Sequence, residues 1–233
     1  MSPRKLHQEI RAAVAPWEGR ELTVAEMQQP AEAIAGLIRA KGYPLTQAFL
    51  PPQRVDGGTL EIRVQEGVVD GSAGINGIVT SGAGKRIKPE VLTKVLAEGA
   101  PAGQPLKAEA LEQSLLVAND LPGVKKVKVN LAPGSQPGST QVEAQVEESA
   151  LFSGSVWADN YGNRYTGEAR LNVAANLNSP SGHGEQWSLT GSLSSGMTSG
   201  RLGLTVPVGV RGGRLGASYS EVTMDFSGQA IPV

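Results

Sequence analysis

Beyond residue 150 the chain falls into five segments in which apolar and polar side chains alternate: "LFSGSVWADN", "YTGEARLNVAANL", "EQWSLTGSLSS", "RLGLTVPVG" and "RLGASYSEV". Short turn clusters, "YGNR", "NSPSGHG", "GMTSG" and "VRGG", part them. Period two marks a β-strand whose faces meet different surroundings. The second segment runs from Tyr165 to Leu177, well beyond the usual five or six residues of a soluble strand. A strand that crosses a bilayer needs about 9–11 residues, apolar toward lipid and polar toward a lumen. On that reading Leu171, Val173 and Leu177 face lipid, and Tyr165 sits at a headgroup boundary. Glu168, Arg170, Asn172 and Asn176 then face a water-filled lumen. A soluble antiparallel sheet with one wet face has the same periodicity, so the alternation alone leaves both open. Serial repetition, length and aromatic ends favour the membrane. Five strands do not close a ring, and an open edge in lipid leaves amides and carbonyls unsatisfied at several kcal/mol each. The segment is therefore expected to be the first part of a larger barrel, and the chain a fragment or a truncated product.

The rest of the chain has another texture. No lysine follows Lys128, whereas the first 150 residues are rich in both charge signs. With 21 Lys+Arg against 22 Asp+Glu, nothing marks the chain as a nucleic-acid binder. Cysteine is absent, which removes disulfides and thiolate zinc sites. "MSPRKLHQEIRAAVAPW" has no apolar core of a signal peptide, and no apolar run is long enough for a transmembrane helix.

Two similar units fill residues 1–148. In the first, a short helix around Lys5 to Val14 precedes "LTVAEMQQPAEAIAGLIRAKGYP", with Ala33, Ile34, Leu37 and Ile38 at helical spacing. Thr23 and Glu26 have the spacing of a capping box, and Gly42 and Pro44 end the helix. Two strands follow, "PLTQAFLP" and "TLEIRVQEG". In the second unit a Gly-punctuated strand, "VVDGSAGINGIVTSG", leads into a helix from about Lys88 to Ala97. A second helix in "LKAEALEQSLLVANDLPG" and the strands "VKKVKVNLAPG" and "TQVEAQVEE" complete it. The order is β-α-α-β-β, and the first copy lacks its opening strand. A repeat of about 75 residues is too long for a solenoid and suits two small tandem domains. The expected boundaries are 1–66, 67–148 and 149–233.

This order is that of POTRA domains. "FLPPQRVDGGTLEIRVQEG" resembles the hallmark of the first POTRA domain in two-partner-secretion translocators of the haemolysin secretion/activation family. "LLVANDLPGVKKVKVNLAPGSQPGSTQVEAQVEE" resembles their second domain, and "DNYGNRYTGEARLNVAANLNSPSGHGEQWSLTGSLSSG" their entry into the outer-membrane barrel. The resemblance runs from Leu22 to Phe226. It implies an α+β fold of tandem POTRA domains followed by antiparallel transmembrane β-barrel strands, a partial barrel. It also implies a place in the bacterial outer membrane with the POTRA domains in the periplasm. Such domains are expected to bind an unfolded exoprotein through its N-terminal secretion domain and pass it to the pore, with outer-membrane lipid around the barrel. No cofactor, nucleic acid or small-molecule substrate is implied. An assembly factor of the insertase type, or a purely structural periplasmic module, are the alternatives; the prolines of "LPPQ" and the presence of two repeats favour secretion. Against the family pattern, the signal peptide, plug helix and first POTRA strand are missing, as are the later barrel strands. "VRGG" at Val210 to Gly213 lacks the tyrosine of the family's Val-Arg-Gly-Tyr motif and reads as a turn.

Catalytic readings are weak. "TSGAGKR", Thr80 to Arg86, approaches a phosphate loop, but Val79 stands where its first glycine belongs and Arg86 where Ser or Thr belongs; a surface loop is expected. His7 and His183 are the only histidines, too few for a metal or triad constellation. No Gly-x-Ser-x-Gly elbow is present.

An exposed sheet edge can accept an extended polypeptide by main-chain pairing. The candidate edge is Val124, Lys125, Lys126, Val127, Lys128 and Val129, with the valines toward the core and Lys126 and Lys128 protecting the edge. Proline at Lys126 or Lys128 is expected to remove a donor from it. Leu45, Gln47 and Phe49 on "PLTQAFLP" are the second candidate. An excised segment 67–148 should be soluble and melt cooperatively, whereas 151–233 should require detergent; a monomeric, sharply melting 151–233 in plain buffer would overturn the barrel assignment.

Overall fold

The strand ladders and the turns between them account for most of the architecture. The computed structural model describes residues 3–55, 57–164 and 166–225. Its elements are α1 (Pro3–Val14), α2 (Gln28–Ala40), β1 (Gln47–Phe49), β2 (Arg63–Gln65), β3 (Val68–Val69), β4 (Ile78–Ser81), α3 (Pro89–Gly99) and α4 (Ala108–Asn119). β5 (Val124–Pro133), β6 (Ser139–Glu148), β7 (Phe152–Asp159), β8 (Arg170–Asn178), β9 (Gln186–Ser194), β10 (Met197–Val208) and β11 (Gly213–Met224) follow. One compact unit gathers Met1–Val79, Leu96–Ser114 and Val129–Glu143; the other gathers Thr80–Val95, Leu115–Lys128 and Ala144–Val233.

In the first unit α2 packs on a short antiparallel pair, β1 on β2, with Gln47 opposite Gln65 and Phe49 opposite Arg63, and α1 packs on α2. The capping box forms: Thr23 N–H donates to Glu26 (2.8 Å) and Glu26 N–H to the Thr23 hydroxyl (3.3 Å). It closes a turn, and α2 itself starts only at Gln28. Ala31, Ile34 and Ala35 bury the inner side of α2. "TLEIRVQEG" is a strand over only three residues, which corrects the longer expectation. Two residues further on, the register would set Pro51 against Glu61, and proline has no N–H to give. The Gln53 carboxamide takes over there. It accepts the Glu61 N–H at 2.8 Å and donates to the Glu61 carbonyl at 2.7 Å. Also in this unit, β3 runs parallel to β6 through Val68↔Ser139 and Val69↔Thr140. Asp70 fastens the end of that ladder. The Ser135 N–H and the Ser72 hydroxyl and N–H hold its carboxyl well below the usual carboxylate range.

The expected Gly-punctuated strand divides into β3 and β4. Within the second sheet β6 is central; β3 and β4 share one of its edges, and β5 pairs β6 alone.

In the second unit β7 to β11 form one antiparallel sheet in chain order, each strand joined to the next by a hairpin. The registers sort the side chains. Phe152, Leu177, Trp187 and Leu204 make one apolar row, and Leu189, Leu202 and Tyr219 another on the same face. The opposite face carries Asn172, Ser192 and Ser199 in line, with Trp157 as its aromatic exception. β8 starts at Arg170, so the thirteen-residue strand of the sequence is cut to nine. Gly167 is the cause: its φ is +101°, and a Cβ there would lie 2.3 Å from the Ser195 hydroxyl. Tyr165 lies outside the described residues. Two hairpin turns touch the helical part of the same unit. Lys88 N–H donates to the Gly182 carbonyl at 2.9 Å, Arg214 pairs with Asp120 at 2.7 Å, and the Lys88 ammonium lies 3.1 Å from the His183 ring. Gly123, at φ +96°, passes so near Ser179 that any Cβ would clash at 2.7 Å.

The loop "TSGAGKR" does gather an anion, and the anion is the chain's own. The N–H groups of Gly84, Lys85 and Arg86 at 2.9 Å, and of Ile87 at 3.2 Å, all point to one oxygen of Glu148. Successive N–H groups in such a turn form a nest for negative charge. Burial raises the Glu148 pKa, but the four N–H bonds outweigh it, so the carboxyl sits below its ordinary 4.5. A depressed folded-state pKa stabilises the fold above the unfolded value and is lost as pH falls through the folded one. Glu148→Gln should therefore cost roughly 1–2 kcal/mol near neutral pH. It should also flatten the acid limb of the stability curve below about pH 5. Thermal melts across pH check this, and an unchanged acid limb would remove the clasp role.

Candidate functional site

β5 is an edge strand of the second sheet, and its burial pattern breaks the simple alternation. Val124 and Val127 are both buried although three apart, with Lys125 and Lys126 exposed between them and Lys128 exposed beyond. Two hydrogen bonds bracket the reason: Ser149 N–H to Gly123 O, and Gly134 N–H to Ser139 O. Between these brackets β5 carries one residue more than β6, so the strand contains a β-bulge. The burial change places it at Lys125–Lys126. After it, Val127 and Val129 turn inward while Lys126 and Lys128 turn out, as the sequence suggests.

The backbone directions follow. The Asn119 side chain accepts the Val127 N–H at 2.8 Å and donates to the Val127 carbonyl at 3.3 Å. Val127 therefore presents its main chain away from β6. In an antiparallel strand these directions alternate, so Val129 and Leu131 also present N–H and C=O outward, and Lys126 and Lys128 address β6. The Gly134–Ser139 bond has the parity this requires. Proline at Lys126 or Lys128 would thus break the domain's own ladder rather than a capturing edge, which corrects the sequence expectation. Lys125 is engaged by Glu147 at 2.5 Å. At the far end Pro133 occupies an outward position and offers no donor.

The second candidate edge lies in the first unit. Leu45 and Gln47 line a cleft of about 850 Å³ together with Gln65, Leu131, Pro133 and the 134–140 turn. The Gln65 amide crosses it to the Pro137 carbonyl at 3.2 Å. Phe49 is exposed and lies outside the cleft lining. Thr46 between them is buried, and its hydroxyl finds no partner. Sequence reasoning missed Leu131 and Gln65, which carry no motif, and Asn119, which reads as an ordinary helix-end residue.

Of the four residues expected to line a lumen, Arg170, Asn172 and Asn176 fall on one face of β8. Asp159 joins the first two: Arg170 donates to one carboxylate oxygen at 2.8 Å and Asn172 to the other at 2.7 Å. Glu168 lies before the strand, in the β7–β8 loop, where its carbonyl accepts the Gly162 N–H. The same glycine that shortens β8 takes it off the sheet.

Two family models match this chain. The POTRA domain of ShlB type covers residues 4–67, and the haemolysin secretion/activation protein ShlB/FhaC/HecB covers residues 138–230. Similar proteins include the heme/hemopexin transporter protein HuxB of Haemophilus influenzae strain 86-028NP, 25% identical over 78% of this chain and 31% of the relative. The outer membrane transporter CdiB of Dickeya dadantii is 28% identical over 90% of this chain and 36% of its own length. Among solved structures, CdiB from Escherichia coli superposes with a TM-score of 0.73 at 26% identity, covering 95% of this chain and 40% of that one. The chain thus spans about a third of the length of the curated relatives it matches. Over that span its POTRA elements and antiparallel barrel strands follow the same path, so the α+β fold with a partial barrel stands.

The assigned directions predict unequal costs of proline along β5. Lys128→Pro should cost about 1–3 kcal/mol by removing a ladder donor. Leu131→Pro should cost less than about 1 kcal/mol, because an outward edge position tolerates proline. Denaturant titration separates them, and equal losses would contradict the directions given.

Proposed function

We propose that this chain, which resembles the haemolysin secretion/activation proteins toward both ends, is the periplasmic receptor part and first pore strands of a two-partner-secretion translocator. Its place is the bacterial outer membrane, with the POTRA domains in the periplasm. The POTRA domains capture an unfolded exoprotein by its N-terminal secretion domain, and the polar face of β7 to β11 belongs to the lumen that receives it. Lipid lies against the face of Leu177, Trp187, Leu189, Leu202 and Tyr219. The reading gives the chain binding and conduction, with no reaction and no cofactor.

The observation that carries this reading is the outward side of β5 at Val129 and Leu131, on which no described strand pairs. An extended polypeptide adds there as a further strand. Main-chain bonds supply affinity with little regard to sequence, and the alternate side chains tune it. The cleft at Leu45, Gln47 and Leu131 offers the incoming segment polar and apolar walls. Arg170, Asn172 and Asn176 keep the lumen face wet, which lets a charged polypeptide slide past without a deep binding well.

The deciding experiment titrates an unfolded secretion domain against Leu131→Pro and Leu131→Ala. Proline should weaken binding about fivefold or more, the value of the one lost N–H bond, and alanine little. Equal binding by the two variants would move the site away from β5. Loss with alanine and with salt alike would replace strand addition by side-chain contacts.

A further inference from the structure

The Asn119 carboxamide holds Val127 in a particular way. A neighbouring antiparallel strand exchanges two bonds with one residue, accepting its N–H and donating to its C=O. Asn119 makes both of these bonds to Val127 from a side chain, at 2.8 and 3.3 Å. Its amide also donates to the Leu115 carbonyl at 2.8 Å, one turn back on α4. Three bonds fix the orientation of the group, and the residue is half-buried. In the first unit Gln53 does the same to Glu61, at the point where Pro51 ends the ladder. The chain therefore uses a primary carboxamide as a substitute strand in two places.

We propose that Asn119 is an edge cap: it closes the outward side of β5 at Val127 and so fixes the register in which an extended polypeptide can add. An incoming strand that pairs along the whole of β5 would need the Val127 N–H and C=O, and both are taken. Pairing is confined to Val129 and Leu131, with Pro133 as the other limit. The cap thus prevents a long, indiscriminate strand pairing of the kind that leads edge strands to aggregate. The part about register rests on the strand-addition reading above; the cap itself does not.

The test uses the full chain in detergent, with Asn119→Ala as the variant. Amide-resolved hydrogen exchange should show Val127 newly unprotected, by about tenfold or more, while Lys126 and Lys128, bonded to β6, keep their protection. The binding probe is a synthetic peptide of alternating valine and threonine, with a copy N-methylated on alternate residues as control. Asn119→Ala should bind the unmodified peptide about fivefold more tightly or better, as expected for the two backbone bonds freed at Val127, and the methylated copy no better than the native chain does. If exchange rises across β5 including Lys126 and Lys128, Asn119 is a folding tie and the cap is wrong. If Val127 alone loses protection and the native chain binds the peptide, but the variant binds no tighter, the register role is wrong. If neither chain binds the peptide while Val127 alone loses protection, the cap stands and the strand-addition reading fails.

Discussion

An edge strand has outward N–H and C=O groups that must be met by water, by protein or, inside a bilayer, by a closed ring of strands. The organisation of this chain follows from how each edge meets that demand. In the sheet of β7 to β11 every described strand has its neighbour in sequence, so each hairpin satisfies the next. In the four-stranded sheet β6 is filled from both sides, and the demand passes to its neighbours, β5 among them. There it is answered by three different means within a few residues: a bulge at Lys125–Lys126, a carboxamide at Val127, and a proline at position 133. Between the last two lies the stretch proposed above for a guest strand.

Loops obey the same constraint. The 84–87 turn points four N–H groups inward, a geometry that would attract any phosphate or carboxylate. Glu148 satisfies them internally, so the turn is a clasp between the start of α3 and the end of β6 in one unit. Asp70 performs the parallel task in the other, gathering Ser72 and Ser135. The depressed pKa values of Glu148 and Asp70 are therefore signs of backbone satisfaction. In the clasp described here they do not point to acid–base chemistry.

Much of this was legible in the sequence, because period two and period 3.6 are read directly from apolar spacing. The order of helices and strands, the polar face of Arg170, Asn172 and Asn176, and the capping box at Thr23 and Glu26 belong to that class. What escaped depends on single residues whose effect is non-local. Gly167 ends the alternation of "YTGEARLNVAANL" through its left-handed backbone, although the pattern of side chains continues past it. The bulge in β5 is invisible because Lys125 and Lys126 are both polar, so an inserted residue changes no apolar count. Asn119 sits in "VANDLPG", a stretch with every mark of a helix end, and its role appears only when β5 passes alongside. "TSGAGKR" shows the reverse case: a loop whose anion-binding shape was present in the sequence, but whose anion lies more than sixty residues away.

The limits on β5 also set the strength of any capture. Two outward residues offer two donors and two acceptors, each worth about 0.5–1.5 kcal/mol net of water. The gain is then about 2–6 kcal/mol. Ordering two or three residues of a guest chain costs about 1–2 kcal/mol each in backbone freedom. The balance lies within a few kcal/mol of zero, so one such edge holds a segment weakly and briefly. For the proposed receptor, which must release its polypeptide into a pore, weak pairing is the useful regime. A longer open edge would add bonds in proportion and slow release exponentially. On the proposed reading the closing of Val127 by Asn119 is a condition for onward movement of the guest, with tightness sacrificed at that position so that the next segment can take its place.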